Sequence, residues 1–216
     1  MIQVVEKRSS WCLTKYGWIV IGGLLLLGGA LLANGLPAFL SYQNPVFTKT
    51  VVISGTLPDA ALERIVGEFG DDPGILILTI GGPITRGSRL SSYRNYADLG
   101  AAALEKIAGH DARIIAIPSS PTQRDRVYES ALALRDWINS VGTDIESINV
   151  YTIGVRGRRT QILFDAAFNN DIEVGIISIK DPSYDSANWW STSQGFRTVT
   201  SEFIAYTYTK LFFWPT

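Results

Sequence analysis

The chain has 216 residues, which is room for one domain with a full hydrophobic core and one short additional segment, so a multi-domain protein is not expected. Its formal net charge of −1 argues against the broad basic surface of a nucleic-acid-binding protein, and no nucleic-acid partner is expected. Cys12 is the only cysteine, which excludes an intramolecular disulfide and a zinc site built from several cysteines.

The first predicted element is an uncharged apolar segment at residues 16–40. A helix of this length can cross a hydrocarbon core of about 30 Å. Lys7, Arg8 and Lys15 precede the segment, and basic residues favour the cytoplasmic side of a membrane. The expected organisation is a cytoplasmic tail at 1–15, a transmembrane anchor at 16–40, a linker at 41–49 and an extracytoplasmic domain at 50–216. A cleaved signal peptide is the alternative, but its apolar region is shorter, roughly 7 to 15 residues.

From Thr50 onward, short β-rich runs alternate with stretches of helical periodicity. Several runs are apolar without interruption, which is typical of strands covered on both faces. The alternation predicts an α/β domain with a Rossmann-like three-layer fold and a mainly parallel sheet. The predicted strands are 50–54, 75–80, 113–117, 147–153 and 174–179, and the predicted helices are 59–69, 89–108, 124–140 and 158–168. A last aromatic segment, 201–216, is predicted as a helix that closes the sheet.

The loops after the strands are the expected place for a site, because ligands of open parallel sheets bind beyond the carboxyl ends of the strands. Four of the five loops contain arginine, although the dipole of a helix N-terminus favours negative charge. An anion bound among these arginines explains the pattern, so we predict a site for a phosphate, pyrophosphate or similar group. The candidate arginines are Arg86, Arg124, Arg126, Arg156, Arg158, Arg159 and Arg197.

The alternative is that these arginines pair with carboxylates at the surface. The carboxylates close to them in sequence are Asp125, Glu129, Asp165 and Asp185. Pairing is the better interpretation of any single arginine, whereas the set across several strand ends favours the anion site.

Catalytic chemistry is less well indicated. The segment GVRG at 154–157 does not match GxGxxG, and GxxxxGK[ST] does not occur. His110, the only histidine, lies in a connection expected at the opposite edge of the sheet, so acid–base chemistry would fall to a carboxylate. Asp125 is a weak catalytic candidate as acid, base or, with Glu129, ligand of a divalent cation. Asp125 is explained equally well as a helix-start residue that orients arginines, and no metal site or cofactor is assigned.

Aromatic residues mark the last part of the chain. Trp189 and Trp190 precede a predicted Ser/Gly loop that leads to Arg197. These tryptophans are expected to stack over a ligand, to insert at the lipid interface, or simply to pack under the last helix. Phe212 and its neighbours are expected to touch the membrane surface.

Five segments occur in a recognisable order: LTIGGP at 78–83, the helix around YRNYADLGAAAL at 93–104, QRDRVYESALALRDWI at 123–138, TIGVRGRRTQILFDAAF at 152–168 and a WWxxSxGxR loop at 189–197. On these segments the sequence resembles the SanA/ElyC/YdcF family of bacterial proteins over essentially all of residues 50–213. Their order and spacing together make the match fairly specific.

The resemblance implies a Rossmann-like domain with a polar site at the strand ends, to which Gly81, Gly82, Arg126, Arg158 and Arg159 would belong. It implies a single-pass protein of the bacterial inner membrane with a periplasmic domain, and a role in the cell envelope with membrane lipid or a lipid-linked phosphate, such as a polyprenyl-phosphate carrier, as partner. Relatives often have histidine in G-x-H-x-R-R-S, where this chain has Arg156. Because arginine does not exchange protons near neutral pH, anion binding is expected here and histidine-dependent chemistry is not.

Three functions follow as hypotheses. The first is binding of an anionic envelope metabolite by a membrane-anchored domain. The second is a non-catalytic assembly subunit that docks on a larger membrane-protein complex. The third is an S-adenosylmethionine-binding protein, which suits the fold but not an arginine-rich rim or an external location.

Overall fold

The computed structural model describes residues 14–69, 74–85, 91–109, 112–142 and 145–214, without the side chains at 26, 27, 30–33 and 69. By contacts the chain divides into two compact units, with the boundary between Leu36 and Pro37. The predicted cytoplasmic tail therefore lies outside the described residues, except for its last two positions.

The first unit contains most of helix α1, Lys15–Leu40, which covers the predicted anchor. Bulky apolar side chains such as Trp18, Ile19 and Leu25 are exposed on it. Among the described residues, no helix has the length and apolar character needed to cross a membrane. Six positions in the middle of the apolar segment, 26, 27 and 30–33, lie outside the described side chains.

The second unit is built on a five-stranded sheet in the order β3-β2-β1-β4-β5, and every neighbouring pair is parallel. This architecture confirms the predicted α/β, Rossmann-like fold. At the centre of the sheet, Val52 lies opposite Leu78 on one side and Val150 on the other. The strands are β1 Thr50–Ser54, β2 Leu76–Gly81, β3 Arg113–Pro118, β4 Ser147–Ile153 and β5 Glu173–Ile179.

Helices cover both faces of the sheet, because side chains that alternate along each strand point to opposite faces and are apolar in both directions. On one face, Ile53, Ile77 and Tyr151 form a buried core with one pair of helices. On the other, Val52, Leu78 and Val150 do so with a second pair. The first pair is α2 Asp59–Phe69 and α3 Tyr96–Ala108, and the second is α4 Arg126–Val141 and α5 Gly157–Phe168.

Capping residues determine where the helices begin, and the sequence periodicity predicted these starts only approximately. Asn95 accepts a hydrogen bond from the backbone N–H of Asp98, so α3 begins at Tyr96, and residues 91–94 precede it. The predicted start of this helix, at 89–90, lies outside the described residues. Asp125 caps α4 in the same way, so that helix begins at Arg126 instead of at 124.

The last helix, α6, runs over Ser193–Phe212 and begins earlier than predicted, because the Thr192 side chain caps it by accepting from Gly195 N at 3.1 Å. Arg197 consequently lies in a helix, not in the predicted loop. The main contacts of α6 are with α5 and with two short 3-10 segments, Gly154–Arg156 and Ser186–Ser191. Since other helices already cover both faces of the sheet, α6 packs on α5 and on the two 3-10 segments, whereas the sequence predicted packing on the sheet.

Residues 41–49, predicted as a linker, form a strap that lies within the α/β unit and runs antiparallel to β5. The strap requires Gly175, because a Cβ at that position would overlap the Asn149 side chain and lie 2.7 Å from Val46 N. The hydrogen bonds of the strap, in chain order, are Gln43 to Ser178 O, Asn44 with Ile176 in both directions, Val46 with the Asn149 amide, and Thr48 to Ser147 O. The chain therefore enters this unit at the carboxyl edge of the sheet and crosses to the amino edge before β1.

Candidate functional site

The candidate site is the carboxyl edge of the sheet, where α4 and α5 begin. Asp125 is held there by two hydrogen bonds to one carboxylate oxygen, from Val127 N at 2.8 Å and from Tyr128 N at 3.3 Å. These bonds satisfy two of the N–H groups that the first turn of a helix leaves unpaired. The second carboxylate oxygen, Oδ2, accepts a hydrogen bond from a neighbouring arginine.

That arginine is Arg159, in the first turn of α5. Its Nη1 donates to Asp125 Oδ2 at 2.8 Å, and its Nε donates to Glu202 Oε1 at 2.6 Å. The three side chains are 15%, 21% and 10% exposed, in the order Arg159, Asp125, Glu202. Burial lowers the pKa of Arg159, but Glu202 and then Asp125 outweigh it, so that the pKa lies above its usual value. This three-residue network ties α4, α5 and α6 together, and the arginine stays charged within it.

Arg158, the preceding residue, faces the incoming chain. Its Nε donates to the carbonyl oxygen of Phe39, and its guanidinium carbon lies 4.0 Å from the Phe39 ring centroid and 4.9 Å from that of Tyr42. Such cation–π contacts hold a guanidinium over an aromatic face. Gly157 lies against the same stretch, because a Cβ there would overlap the backbone carbonyl of Tyr42. The first turn of α5 therefore holds Phe39 and Tyr42, where the chain enters the α/β unit.

The other candidate arginines are more exposed. Arg124, Arg126, Arg156 and Arg197 are all exposed at this edge. Within the described part of the chain, ion pairs include neither Arg126 nor Arg156 nor Arg197. Arg86 lies outside the described residues. The candidate arginines thus fall into two groups. Arg158 and Arg159 bond to other residues of the domain, whereas Arg124, Arg126, Arg156 and Arg197 are exposed to solvent.

The two candidate glycines follow from close packing between helix and sheet. A Cβ on Gly81, at the end of β2, would lie 2.7 Å from the Cβ of Tyr96, the first residue of α3. A Cβ on Gly82 would lie 3.3 Å from Ser119 Oγ, which in turn lies 3.1 Å from Ser130 Oγ in a buried pair. Both glycines therefore have a structural reason to be there, whether or not a ligand approaches them.

A second group of side chains at this edge was not among the sequence candidates. Gly154 has φ of +55°, and a Cβ there would lie 3.0 Å from Asp181 Cβ and 3.2 Å from Tyr184 Oη. Burial raises the pKa of Tyr184 to about 12, and Asp181 adds to the shift while Arg156 opposes it. Tyr184 is consequently a neutral hydroxyl at neutral pH. The signal that points to this group is its position in the loop after β5.

The two tryptophans have different environments. Trp189 is 7% exposed and stacks on Phe196 with ring centroids 5.9 Å apart, which fits the packing interpretation. Trp190 is 45% exposed and meets Trp189 edge to face at 6.0 Å. Trp190 is therefore the more exposed of the pair.

In the described ranges, His, Cys, Asp and Glu side chains form no group of three or more that could hold a metal ion. Two cavities are described in the α/β unit. One of about 290 Å³ lies between α2 and α3, beside Glu63 and Lys106. The other, of about 430 Å³, lies at the amino edge, beside Arg135 and Asp171.

No protein-family model matches the chain, and no curated protein matches it. The fold and the edge define the class of the protein: an α/β, Rossmann-like domain whose carboxyl edge carries an internal Asp125–Arg159–Glu202 network and exposed arginines.

Proposed function

We propose that this chain is a membrane-anchored protein of the bacterial cell envelope, similar to the SanA/ElyC/YdcF family, whose extracytoplasmic α/β domain binds an anionic phosphate or pyrophosphate ligand. The candidate ligand is the head group of a polyprenyl-phosphate lipid carrier. The observation that carries the proposal is the exposure of Arg126, Arg156 and Arg197 at the carboxyl edge, outside the ion pairs of the described chain.

The bonds that Arg158 and Arg159 make inside the domain reduce the number of arginines that are candidates for ligand binding. Arg159 is already offset by two carboxylates, and Arg158 is held by two aromatic rings and a carbonyl oxygen. Their positive charges are already offset by carboxylates or stacked on aromatic rings, so they attract an anion less strongly than an exposed arginine does. We therefore assign ligand contacts to the exposed arginines and a positioning role to Arg158 and Arg159.

The path of the chain supports a lipid-linked ligand. Phe39 and Tyr42, which follow the apolar segment, lie against the first turn of α5 at the same edge as the exposed arginines. If the apolar segment crosses the membrane, this covalent connection keeps the arginines near lipid head groups. A phosphate at the membrane surface is then within their reach.

Calorimetry on the full-length protein in mild detergent tests the anion site, with inorganic pyrophosphate and a short-chain polyprenyl phosphate as probes. The triple variant Arg126→Ala, Arg156→Ala, Arg197→Ala should bind at least about tenfold more weakly, because a hydrogen bond to a charged group contributes about 1.5–3 kcal/mol. The control is Arg113→Ala, which removes an exposed arginine at the amino end of β3. Equal affinity in the triple variant and the control would refute the site.

The second candidate is a non-catalytic assembly subunit that docks on a larger membrane-protein complex. It is favoured by the internal use of Arg158 and Arg159, which removes two arginines from the proposed ligand set. Purification from native membranes separates the two functions. A stoichiometric protein partner supports assembly, whereas an isolated chain with a bound phosphate compound supports ligand binding.

A further inference from the structure

Helix α6 has an inverted distribution of side chains. Its buried residues are Gly195, Val199, Glu202 and Thr209, of which three are small or polar. Its large apolar residues face solvent instead, with exposed fractions between 42% and 65%: Phe196, Phe203, Ile204, Tyr208, Leu211 and Phe212. A helix that only packs on a domain buries its apolar residues, so this face is expected to contact something other than water.

Large exposed apolar residues cluster on one side of α6, most densely in its C-terminal half. Ile204, Tyr208 and Leu211 are spaced by four and three residues, which places them above one another on a helix. Phe196 and Phe203 are seven residues apart and flank the same side. We call this surface, from Phe196 to Phe212, the α6 stripe.

The charges on α6 have one sign at the surface. Its charged residues are Arg197, Glu202 and Lys210. Glu202 is buried and bonded to Arg159, so only the two basic residues are exposed. Lys210 lies beside the apolar residues of the C-terminal half, and Arg197 lies on the same face about two turns before Ile204. This arrangement suits a helix that docks on the surface of an anionic bilayer.

Contacts at its middle and its end place α6 along the carboxyl edge of the sheet. Glu202 bonds Arg159 in the first turn of α5, and Tyr206 meets Phe39 edge to face with centroids 5.4 Å apart. Just beyond the helix, Phe213 meets Tyr128 in the first turn of α4 at 5.0 Å. The α6 stripe therefore belongs to the edge at which the chain enters from the apolar segment.

We propose that the α6 stripe docks on the surface of an anionic lipid bilayer, with Ile204, Tyr208 and Leu211 among the acyl chains and Lys210 at the head groups. The inference rests on the proposed membrane location, and it adds an orientation to it. The carboxyl edge then faces the bilayer, and Arg126, Arg156 and Arg197 meet head groups from the side. Trp190 and Trp214, 45% and 79% exposed, extend the aromatic surface at the two ends of α6.

Spin labels test the docking in the full-length chain, reconstituted into vesicles of phosphatidylethanolamine and phosphatidylglycerol. With Cys12→Ser as background, single cysteines replace Ile204, Tyr208 or Leu211, and each nitroxide is probed with oxygen, which partitions into lipid, and with a water-soluble nickel complex. The control label replaces Glu105, which is exposed on α3. The ratio of oxygen to nickel accessibility should be severalfold higher at the stripe than at Glu105.

Two results overturn the docking. Equal ratios at the stripe and at Glu105 mean that the stripe is in water. Protection from both reagents means that a protein, either a second copy or another chain, covers it. Lys210→Glu should lower the oxygen-to-nickel ratio at Leu211, and an unchanged ratio would contradict the role of an anionic surface.

A label at Leu25, exposed on α1, distinguishes failure of this inference from failure of the membrane proposal. High oxygen accessibility at Leu25 with a water-like stripe removes only the docking. Water-like accessibility at both positions removes the membrane anchor as well. Pyrophosphate binding, measured separately, reports on the anion site in either case.

Discussion

Replacing Arg159 by methionine is the sharpest test of the network that joins three helices. Methionine keeps much of the side-chain volume but removes both hydrogen bonds, to Asp125 at 2.8 Å and to Glu202 at 2.6 Å. Two carboxylates then remain at the helix junction without their shared cation. Glu202 has the larger effect, because its side chain is only 10% exposed, whereas Asp125 is 21% exposed and keeps its bonds to backbone N–H groups.

The magnitude follows from burial. Removing one partner of a fully buried ion pair costs about 3–5 kcal/mol, because an uncompensated charge is left behind. Partial exposure lets water screen the remaining carboxylates, so we expect a loss of about 2–3 kcal/mol for Arg159→Met. For a chain of this size, that loss lowers the Tm by roughly 4–12 °C.

Thermal unfolding of the full-length protein in mild detergent, followed by near-ultraviolet circular dichroism, measures the effect. The matched control is Arg126→Met, which makes the same change at an exposed arginine in the first turn of α4. Exposed substitutions usually change stability by less than about 0.5 kcal/mol. If both variants melted at the same temperature, the network would not stabilise the domain, and Arg159 would again be a candidate ligand residue.

Further outcomes are expected from backbone contacts and from titration. Gly157→Ala should lower the Tm, because the added Cβ would overlap the backbone of the strap at Tyr42. Gly67→Ala, where a Cβ on α2 meets open space, should instead raise the free energy of unfolding by about 0.5–1 kcal/mol. The two melting curves must therefore move in opposite directions. Because the pKa of Tyr184 is raised from 10.0 to about 12, its contribution to stability is present below pH 10 and is lost between pH 10 and 12. Tyr184→Phe should remove one late-titrating tyrosine from the ultraviolet titration, and an unchanged curve would be incompatible with the buried hydroxyl. Hydrogen bonds from the Ala187 backbone and from Asn188 lower the pKa of Asp185, so Asn188→Ala should raise its NMR titration midpoint, which stays constant if that bond is absent.

The sequence alone determined the class of the fold. Apolar runs of strand length alternate with stretches of helical periodicity, and each of these patterns can be recognised from a short segment of sequence. The structure has all five predicted strands and a parallel sheet. Helix starts were less well predicted, because the side chains of Asn95, Asp125 and Thr192 set them through capping hydrogen bonds.

Tertiary structure decided what the arginines do. Arg159 finds Glu202 43 residues further along the chain, and Arg158 finds Phe39 119 residues earlier, so no local pattern could reveal either partner. The same holds for the strap, whose side-chain bonds to the strands join residues 99 to 135 positions apart in sequence, such as Val46 and Asn149. Periodicity and capping depend on near neighbours, whereas the choice between a ligand-binding and an internally bonded arginine depends on which helices meet when the sheet is covered.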